Sequence, residues 1–517
     1  MKLVRIFFGI ALSIWLIAFA FRILFSVPNS ENRSYSLAIP ASVETTIGSF
    51  VLAKQLGNAG KSGVTQLAEG PAAFAARIRL AEVAQASIDA RYYIWQDDLT
   101  GLLLLESLYE AAERGVRVRL LLDDNGTPNL DLEIAQMTAH PNIEVRIFNP
   151  FILRKPRLVS FLLDFNRLNR RMHNKSFTVD GAVTIVGGRN IGDIYFSRNE
   201  HVNYFDFDLI AFGDAANDVS EDFDLYWASD SAVAAEDVLP PYDASQSPLF
   251  DSVAFQRSLP GGTEFDEAIH EMKILEHLTD PKYGFEWAEI ELVSDSPAKG
   301  LGPIPQSELL NSKLLEILPT PKASVDLVSA YFIPSGTVGD LLTSWAEKGL
   351  KVRTLTNAQE STDVLPVHSG YIRYRPKLID AGVGVYELKT TLEPRTLSNQ
   401  MGLTGESRSS LHAKTFVIDG VEVFVGSFNF DPRSANLNTE MGFLVKGKSL
   451  ARFVSEVLNQ NLDEWAYVVT ASNDGNLIWT EESSNSEKVV HEIEPKTTVF
   501  SRALVVMIGW LPIQWLL

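Results

Sequence analysis

Short apolar runs and stretches of helical periodicity alternate along most of this chain. Residues 88–95 read as a strand, 102–114 as an amphipathic helix and 116–122 as a second strand. The same order returns at 325–332, 338–348 and 352–355. Each series then reaches two apolar runs joined at Asp-Gly: 176–179 with 184–186, and 415–418 with 421–425. Asp-Gly between apolar runs predicts a tight hairpin. Strands alternating with helices argue for layered α/β structure.

The two series are a duplication. Ala86-Ser87-Ile88-Asp89 matches Ala323-Ser324-Val325-Asp326, and Glu113-Arg114-Gly115 matches Glu347-Lys348-Gly349. A period of roughly 235 residues is too long for a solenoid and fits two similar globular halves. The expected fold class is therefore α/β, with two pseudo-twofold-related α/β/α sandwich halves forming one shared active site. The expected divisions are an N-terminal anchor and linker at 1–45, halves at 46–262 and 263–470, and a C-terminal tail at 471–517.

The chemistry repeats with the fold. His173 and Lys175, with Asp180 five residues on, return as His412, Lys414 and Asp419. Gly187-Gly188-Arg189-Asn190 follows the first set and Gly426-Ser427-Phe428-Asn429 the second. A His beside a fixed cation suits a phosphodiester, where negative charge must be held while a bond to phosphorus breaks. His and Lys two apart on a strand share a face, and the glycine-rich turn lets backbone approach a phosphate. Asn190, Asn429 and Ser427 are the expected phosphate-binding groups. Asp180 and Asp419 complete the catalytic motif from the hairpin turns, where they point off the site's face and are expected to act structurally. Asp206 stands seven residues before Gly213 and Glu440 seven before Gly447. Each is expected to orient the His of its own half, as the third member of a triad does. One half holds one motif His, so nucleophile and acid must come from different halves.

These motifs, with Arg91-Tyr92-Tyr93-Ile94-Trp95, Asn438-Thr439-Glu440-Met441-Gly442 and the closing Trp515-Leu516-Leu517, resemble the phospholipase D superfamily, and within it bacterial cardiolipin synthases of the C type. The resemblance runs from about Phe74 to about Asn476 and implies transfer of a phosphatidyl group between phospholipids. It also points to the N-terminal His173 as nucleophile, with His412 as acid and base, and suggests His368 as a residue lining the lipid site. The implied partners are phosphatidylglycerol, phosphatidylethanolamine as another donor, and a membrane; a small accessory protein is left open. The competing reaction is hydrolysis to phosphatidic acid, followed by phosphodiester cleavage in nucleic acid. The implied location is the bacterial inner membrane, with the catalytic body facing the periplasm.

Composition narrows these readings. A net charge of −20 disfavours nucleic acid as a partner, because phosphate contacts need clustered Lys and Arg. Absence of cysteine excludes thiolate chemistry. No cofactor or metal is expected, since the lysines and asparagines can neutralise the phosphate. Residues 151–175 carry seven basic side chains and read as a basic amphipathic helix for anionic headgroups, against the alternative of an ordinary packed helix. Residues 6–21 are uncharged and apolar, suited to a membrane anchor or a signal peptide. Residues 503–517 are apolar, too short to span, and place Trp510 and Trp515 for an interface. Residues 472–496 read as loop. His270 and His277 share a helix face without an expected metal, and Asp97, Asp98, Asp123 and Asp124 are expected to end strands.

Overall fold

The computed structural model describes residues 33–199, 202–279, 285–390, 408–482 and 488–517, with residues 9, 12, 13, 16, 17, 19 and 20 before them. The proposed anchor at 6–21 therefore lies largely outside the described residues. Among those described, no helix is long and apolar enough to cross a membrane.

After a helix at Thr46–Gln55, the first half runs through β1 (Ser62–Leu67), α1 (Gly70–Val83), β2 (Ser87–Ile94), α2 (Leu99–Glu113), β3 (Arg117–Gly126) and β4 (Ile143–Phe148). The hairpin β5 (Ser176–Val179) and β6 (Val183–Gly187) follows, then β7 (Asp208–Phe212) and α3 (Asp214–Trp227). Pairing gives the order β1-β7-β6-β5-β2-β3-β4. The second half has β8 (Glu286–Ser294), β9 (Ser324–Ser329), α4 (Thr337–Glu347), β10 (Lys351–Asn357) and β11 (Gly384–Leu388). It continues with the hairpin β12 (Lys414–Ile418) and β13 (Glu422–Gly426), then β14 (Met441–Lys446), α5 (Lys448–Trp465) and β15 (Ala466–Ala471). Its order, β8-β14-β13-β12-β9-β10-β11-β15, repeats the first.

Local chemistry explains the recurrence. Asp98 caps α2 by accepting from the Gly101 N–H. Gly115 and Gly349 end α2 and α4 at φ +93° and +87°, a conformation costly for any residue with a Cβ. Both Asp-Gly pairs have positive φ at each residue, as a type I′ hairpin turn requires. Alternation along β3 sends Val118, Leu120 and Leu122 into the core with α1 and α2, while Leu121 faces Tyr226 and Trp227 of α3. Each sheet is thus covered on both sides.

The halves share a core. Val186, Leu209 and Val219 pack in one cluster with Val423, Val425, Phe443 and Leu450. β1 and β8 also pair edge to edge at Ser62–Ala288, Gly63–Trp287 and Val64–Glu286.

Three expected boundaries move. The supposed linker from 33 onward is docked on the first half: Arg146 and Arg119 donate to the Ser34 and Ser36 carbonyls at 2.6 and 3.0 Å, and the Ala38 N–H donates to Asp224 at 2.9 Å. The helix Gly262–Glu271 packs on α1, so the first half extends past residue 262. The supposed tail loop contains strands Leu477–Glu482 and Lys488–His491, which extend the second sheet from β15.

Candidate active site

Both motif histidines sit just before a hairpin rather than within its first strand. In the first half even Lys175 precedes β5; in the second, Lys414 opens β12. What fixes each histidine comes from the opposite half. The His173 N–H donates to the Thr439 carbonyl at 2.9 Å, and the His412 N–H to the Phe205 carbonyl at 2.7 Å. A parallel ladder between 202–205 and 408–411 leads His412 into place, and a bridge between Met172 and Thr439 does so for His173.

The side chains cross in the same way. His173 Nδ1 lies 2.8 Å from Glu440 Oε2, and His412 Nδ1 2.5 Å from Asp206 Oδ2. The expectation that each acid serves its own half is therefore corrected. Each acid immediately follows the residue whose carbonyl holds the opposite histidine, so backbone and side chain of one short segment grip one imidazole. All four side chains are buried. With Nδ1 engaged, Nε2 is the ring nitrogen left for chemistry.

The cations lie against their own histidines. Lys175 Nζ donates to the His173 carbonyl at 2.6 Å. Lys414 Nζ donates to the His412 carbonyl and lies 2.9 Å from His412 Nδ1. Burial pushes Lys175 down to about 7 and Lys414 down to about 8. Burial and the two lysines hold His173 well below its ordinary value; burial and Lys414 lower His412. The acids diverge. Burial pushes Glu440 up to about 7. For Asp206 burial acts in the same direction, but His412 and Lys414 outweigh it and pull the carboxyl below its ordinary value.

The other motif residues divide. Asp180 accepts from the N–H groups of Gln85, Ala86 and Ser87 at 2.8–3.2 Å, and Asp419 from those of Lys322, Ala323 and Ser324 at 2.8–3.2 Å. Both tie the hairpin turn to the loop before β2 or β9, away from the histidines. Asn190 is committed to protein, accepting from the Ile94 N–H at 3.1 Å and donating to the Tyr195 hydroxyl at 3.0 Å. Asn429 Oδ1 is buried without a partner among the described residues. Ser427, expected on phosphate, instead donates to Glu440 Oε2 at 2.5 Å.

Two crossed His–acid pairs, each with a lysine, form one site from two repeats. The family model described as cardiolipin synthase, PLD-like domain matches residues 78–227 and 314–465, once in each repeat. The chain belongs to the phospholipase D-like cardiolipin synthase family. It is 43% identical to cardiolipin synthase C of Escherichia coli over 89% of this chain and 97% of that one. A cardiolipin synthase of Geobacillus kaustophilus is 27% identical over 76% of this chain and 64% of its own length. Among solved structures, phosphatidylserine synthase of Haemophilus influenzae shares the fold, with a TM-score of 0.54 at 15% identity over 81% of this chain and 91% of that one.

Around this phospholipase D-like centre stand aromatic residues that motif reasoning missed. The Tyr93 ring meets His173 edge-on at 5.1 Å, and Tyr195 meets His412 edge-on at 5.2 Å. Tyr204 stacks on His412 at 5.0 Å. Tyr204 and Tyr331 both donate to Asp363 Oδ2, at 2.9 and 2.7 Å. Tyr93, Tyr204 and Tyr331 end or flank strands and Tyr195 closes a short 3-10 turn, places where aromatic residues also serve as core, so nothing in the sequence marked them as neighbours of the histidines.

The basic segment also differs from expectation. It folds as two short helices, Arg157–Leu163 and Phe165–Leu168. Most of its arginines face acids: Arg154 lies 2.5 Å from Asp124 and from Asp131, Arg167 2.6 Å from Asp164, and Arg171 3.1 Å from Asp123, while Arg170 donates to the Lys299 and Asn436 carbonyls. What it exposes is mixed: Leu158 and Leu162, at 69% and 67%, stand beside exposed Lys155 and Asn166. Asp123 and Asp124 thus serve as counter-ions. His368 is buried against Tyr371 and near Glu494, beneath the helix α6 (Val499–Gly509). His270 contacts Asp266 and Glu82, and the His277 side chain lies outside the described residues.

Proposed function

We propose that this protein is a cardiolipin synthase-type phosphatidyltransferase working through a phospho-histidine. The supporting observation is the crossed pairing, which gives two imidazoles with Nδ1 engaged and Nε2 left for reaction in one buried, cationic site. His173 Nε2 attacks the donor phosphorus, and the bond to the headgroup oxygen breaks. His412, as imidazolium, gives that oxygen its proton. The departing alcohol leaves the phosphatidyl group on His173. Neutral His412 then takes the proton from a phosphatidylglycerol hydroxyl, whose oxygen attacks phosphorus as the P–N bond breaks. Cardiolipin leaves and both histidines return to their starting states. Lys175 and Lys414 hold the equatorial oxygens, with Asn429 beside them. Phosphatidylglycerol is the acceptor; the donor is phosphatidylglycerol or phosphatidylethanolamine.

The surface supports a lipid substrate. The outward face of α6 and the turn after it carries Val499, Phe500, Val506, Met507, Trp510 and Leu511, all exposed. Its inward face supplies Val505, Ser501 to Gln359, and Arg502 to the Thr497 carbonyl. An apolar face turned outward, ending in tryptophan, suits the acyl boundary of a bilayer. Arg433 joins this segment to the site's approach, donating to the Leu516 carbonyl at 2.8 Å and to Asn169 Oδ1 at 2.6 Å. The reading places the protein at the bacterial inner membrane, with its body on the periplasmic side.

The test is lipid analysis by mass spectrometry with purified protein and phosphatidylglycerol liposomes, with and without phosphatidylethanolamine. Cardiolipin is the expected product, and His173→Ala and His412→Ala each reduce it by roughly 10²-fold or more. Phosphatidic acid as sole product would make the protein a hydrolase. More than about a tenth of the activity surviving in either variant would refute a shared site.

A further inference from the structure

The two His–acid pairs are equivalent in position but not in construction. Glu440 has the longer side chain, and the residue opposite it is Ser427. The Ser427 hydroxyl donates at 2.5 Å to Oε2, the oxygen that also faces His173, and accepts from the Met441 N–H at 3.0 Å. Glu440 Oε1 is buried without a partner among the described residues. In the other half the acid is one methylene shorter, and position 188 is glycine. A Cβ on Gly188 would stand 2.1 Å from Asp206 Oδ1 and 2.8 Å from its Cγ, so Asp206 occupies space that only a glycine leaves open. Asp206 Oδ1 accepts from the Phe207 N–H at 2.8 Å instead of from a hydroxyl. Acid length and the side chain at the second position of each glycine turn are therefore matched: Glu with Ser, Asp with Gly.

We infer that Ser427 is a positioning residue for His173, acting through Glu440. Its hydroxyl anchors the carboxylate oxygen that grips Nδ1 and helps keep that carboxylate charged; for Asp206, close packing at Gly188 does the anchoring and His412 with Lys414 hold the charge. Burial and the neighbouring Asp295 and Asp431 favour the neutral carboxyl, while Lys175, the Ser434 side chain and Lys299 favour the charged one; the Ser427 hydroxyl, bonded to the oxygen that faces His173, adds to the second group. Ser427 then sets the pH range over which His173 is held by an anion. This assignment rests on the two-histidine transfer reading, but total donor consumption measures it equally well if water is the acceptor.

The test has two arms. Ser427→Ala should move the acid limb of kcat/KM upward by on the order of one pH unit, with KM for lipid little changed, and Ser427→Thr should restore the limb. A raised KM with an unmoved limb would place Ser427 on the substrate phosphate, and a lowered melting temperature with an unmoved limb would make it merely structural; either overturns the inference. The second arm transplants the pairing. Glu440→Asp alone should lose roughly 10²-fold, because the shorter acid meets the Ser427 Cβ on its way to His173. Adding Ser427→Gly should recover at least about tenfold of that loss, although Ser427→Gly is harmful by itself. A double variant no better than Glu440→Asp refutes the matched pairing.

Discussion

The carboxylate of Glu440, in the second repeat, lies 2.8 Å from the ring of His173, in the first. With Asp206 and His412 related in the reciprocal way, neither repeat holds a complete acid–base unit. This crossing has a direct spectroscopic consequence. Two imidazole Nδ1 protons should resonate far downfield in the intact protein. Glu440→Gln should remove the His173 signal and Asp206→Asn the His412 signal, each assigned by replacing the histidine. Loss of the signal from the same repeat would contradict the crossed geometry.

Activity should follow a narrow bell in pH. Glu440, pushed up to about 7, loses its charge and its grip on His173 as pH falls through that value. As pH rises, His412, lowered by burial and Lys414, loses the proton that it must donate, and Lys175 and Lys414, pushed down to about 7 and about 8, lose their charge. The maximum therefore falls near neutrality. Lys175→Arg, which stays protonated, should carry the alkaline limb to higher pH even as turnover drops. A flat profile between pH 6 and 9 would show that these groups do not govern the rate.

Asp180 should matter to stability and not to chemistry. It accepts three backbone N–H groups at the base of the first hairpin. Removing a charged acceptor leaves buried donors unpaired, worth about 1.5–3 kcal/mol. Asp180→Ala should lower the denaturation midpoint by that amount while kcat per folded molecule is kept. A variant of unchanged stability with kcat down a hundredfold would return Asp180 to the chemistry.

Turnover should survive EDTA. Lys175 and Lys414 supply fixed cations beside the histidines, so the phosphate's charge is already met by protein. Activity lost on chelation and restored by one divalent ion would overturn this.

Charging the outward face of α6 should detach the protein from lipid. Trp510→Asp with Leu511→Asp replaces two exposed apolar side chains, each worth about 1.5–3 kcal/mol when buried. Vesicle binding by the body from residue 33 onward should fall at least tenfold, with cleavage of a short-chain soluble phosphodiester unchanged. Equal binding by both proteins would remove this face from the interface.

The fold was readable where local pattern and tertiary role agree. The Asp-Gly hairpins, the helices ending at Gly115 and Gly349, and the repeated strand order all follow from short-range rules. His173, Lys175, His412, Lys414, Asp206 and Glu440 stood out as candidates because each position recurs, and the structure brings them together. Their pairing was not readable, because a repeat specifies which residues are equivalent and not which copy they touch. The arginines of 154–171 misled for a related reason. The counter-ions Asp123, Asp124 and Asp131 of Arg154 and Arg171 are distant in sequence, so a largely paired cluster looked like a free basic face. Ser427 looked like a phosphate ligand because nothing local shows that Glu440 bends back to it.

The exchange of acids between repeats also bears on ancestry. A chain with one repeat would carry a histidine and a carboxylate unable to reach each other, and could have built this centre only by pairing with a second copy of itself. Fusion into one polypeptide would release the copies from having to be identical. Glu440 beside Ser427 and Asp206 beside Gly188 are two solutions that a single gene encoding a symmetric pair could not have held at once.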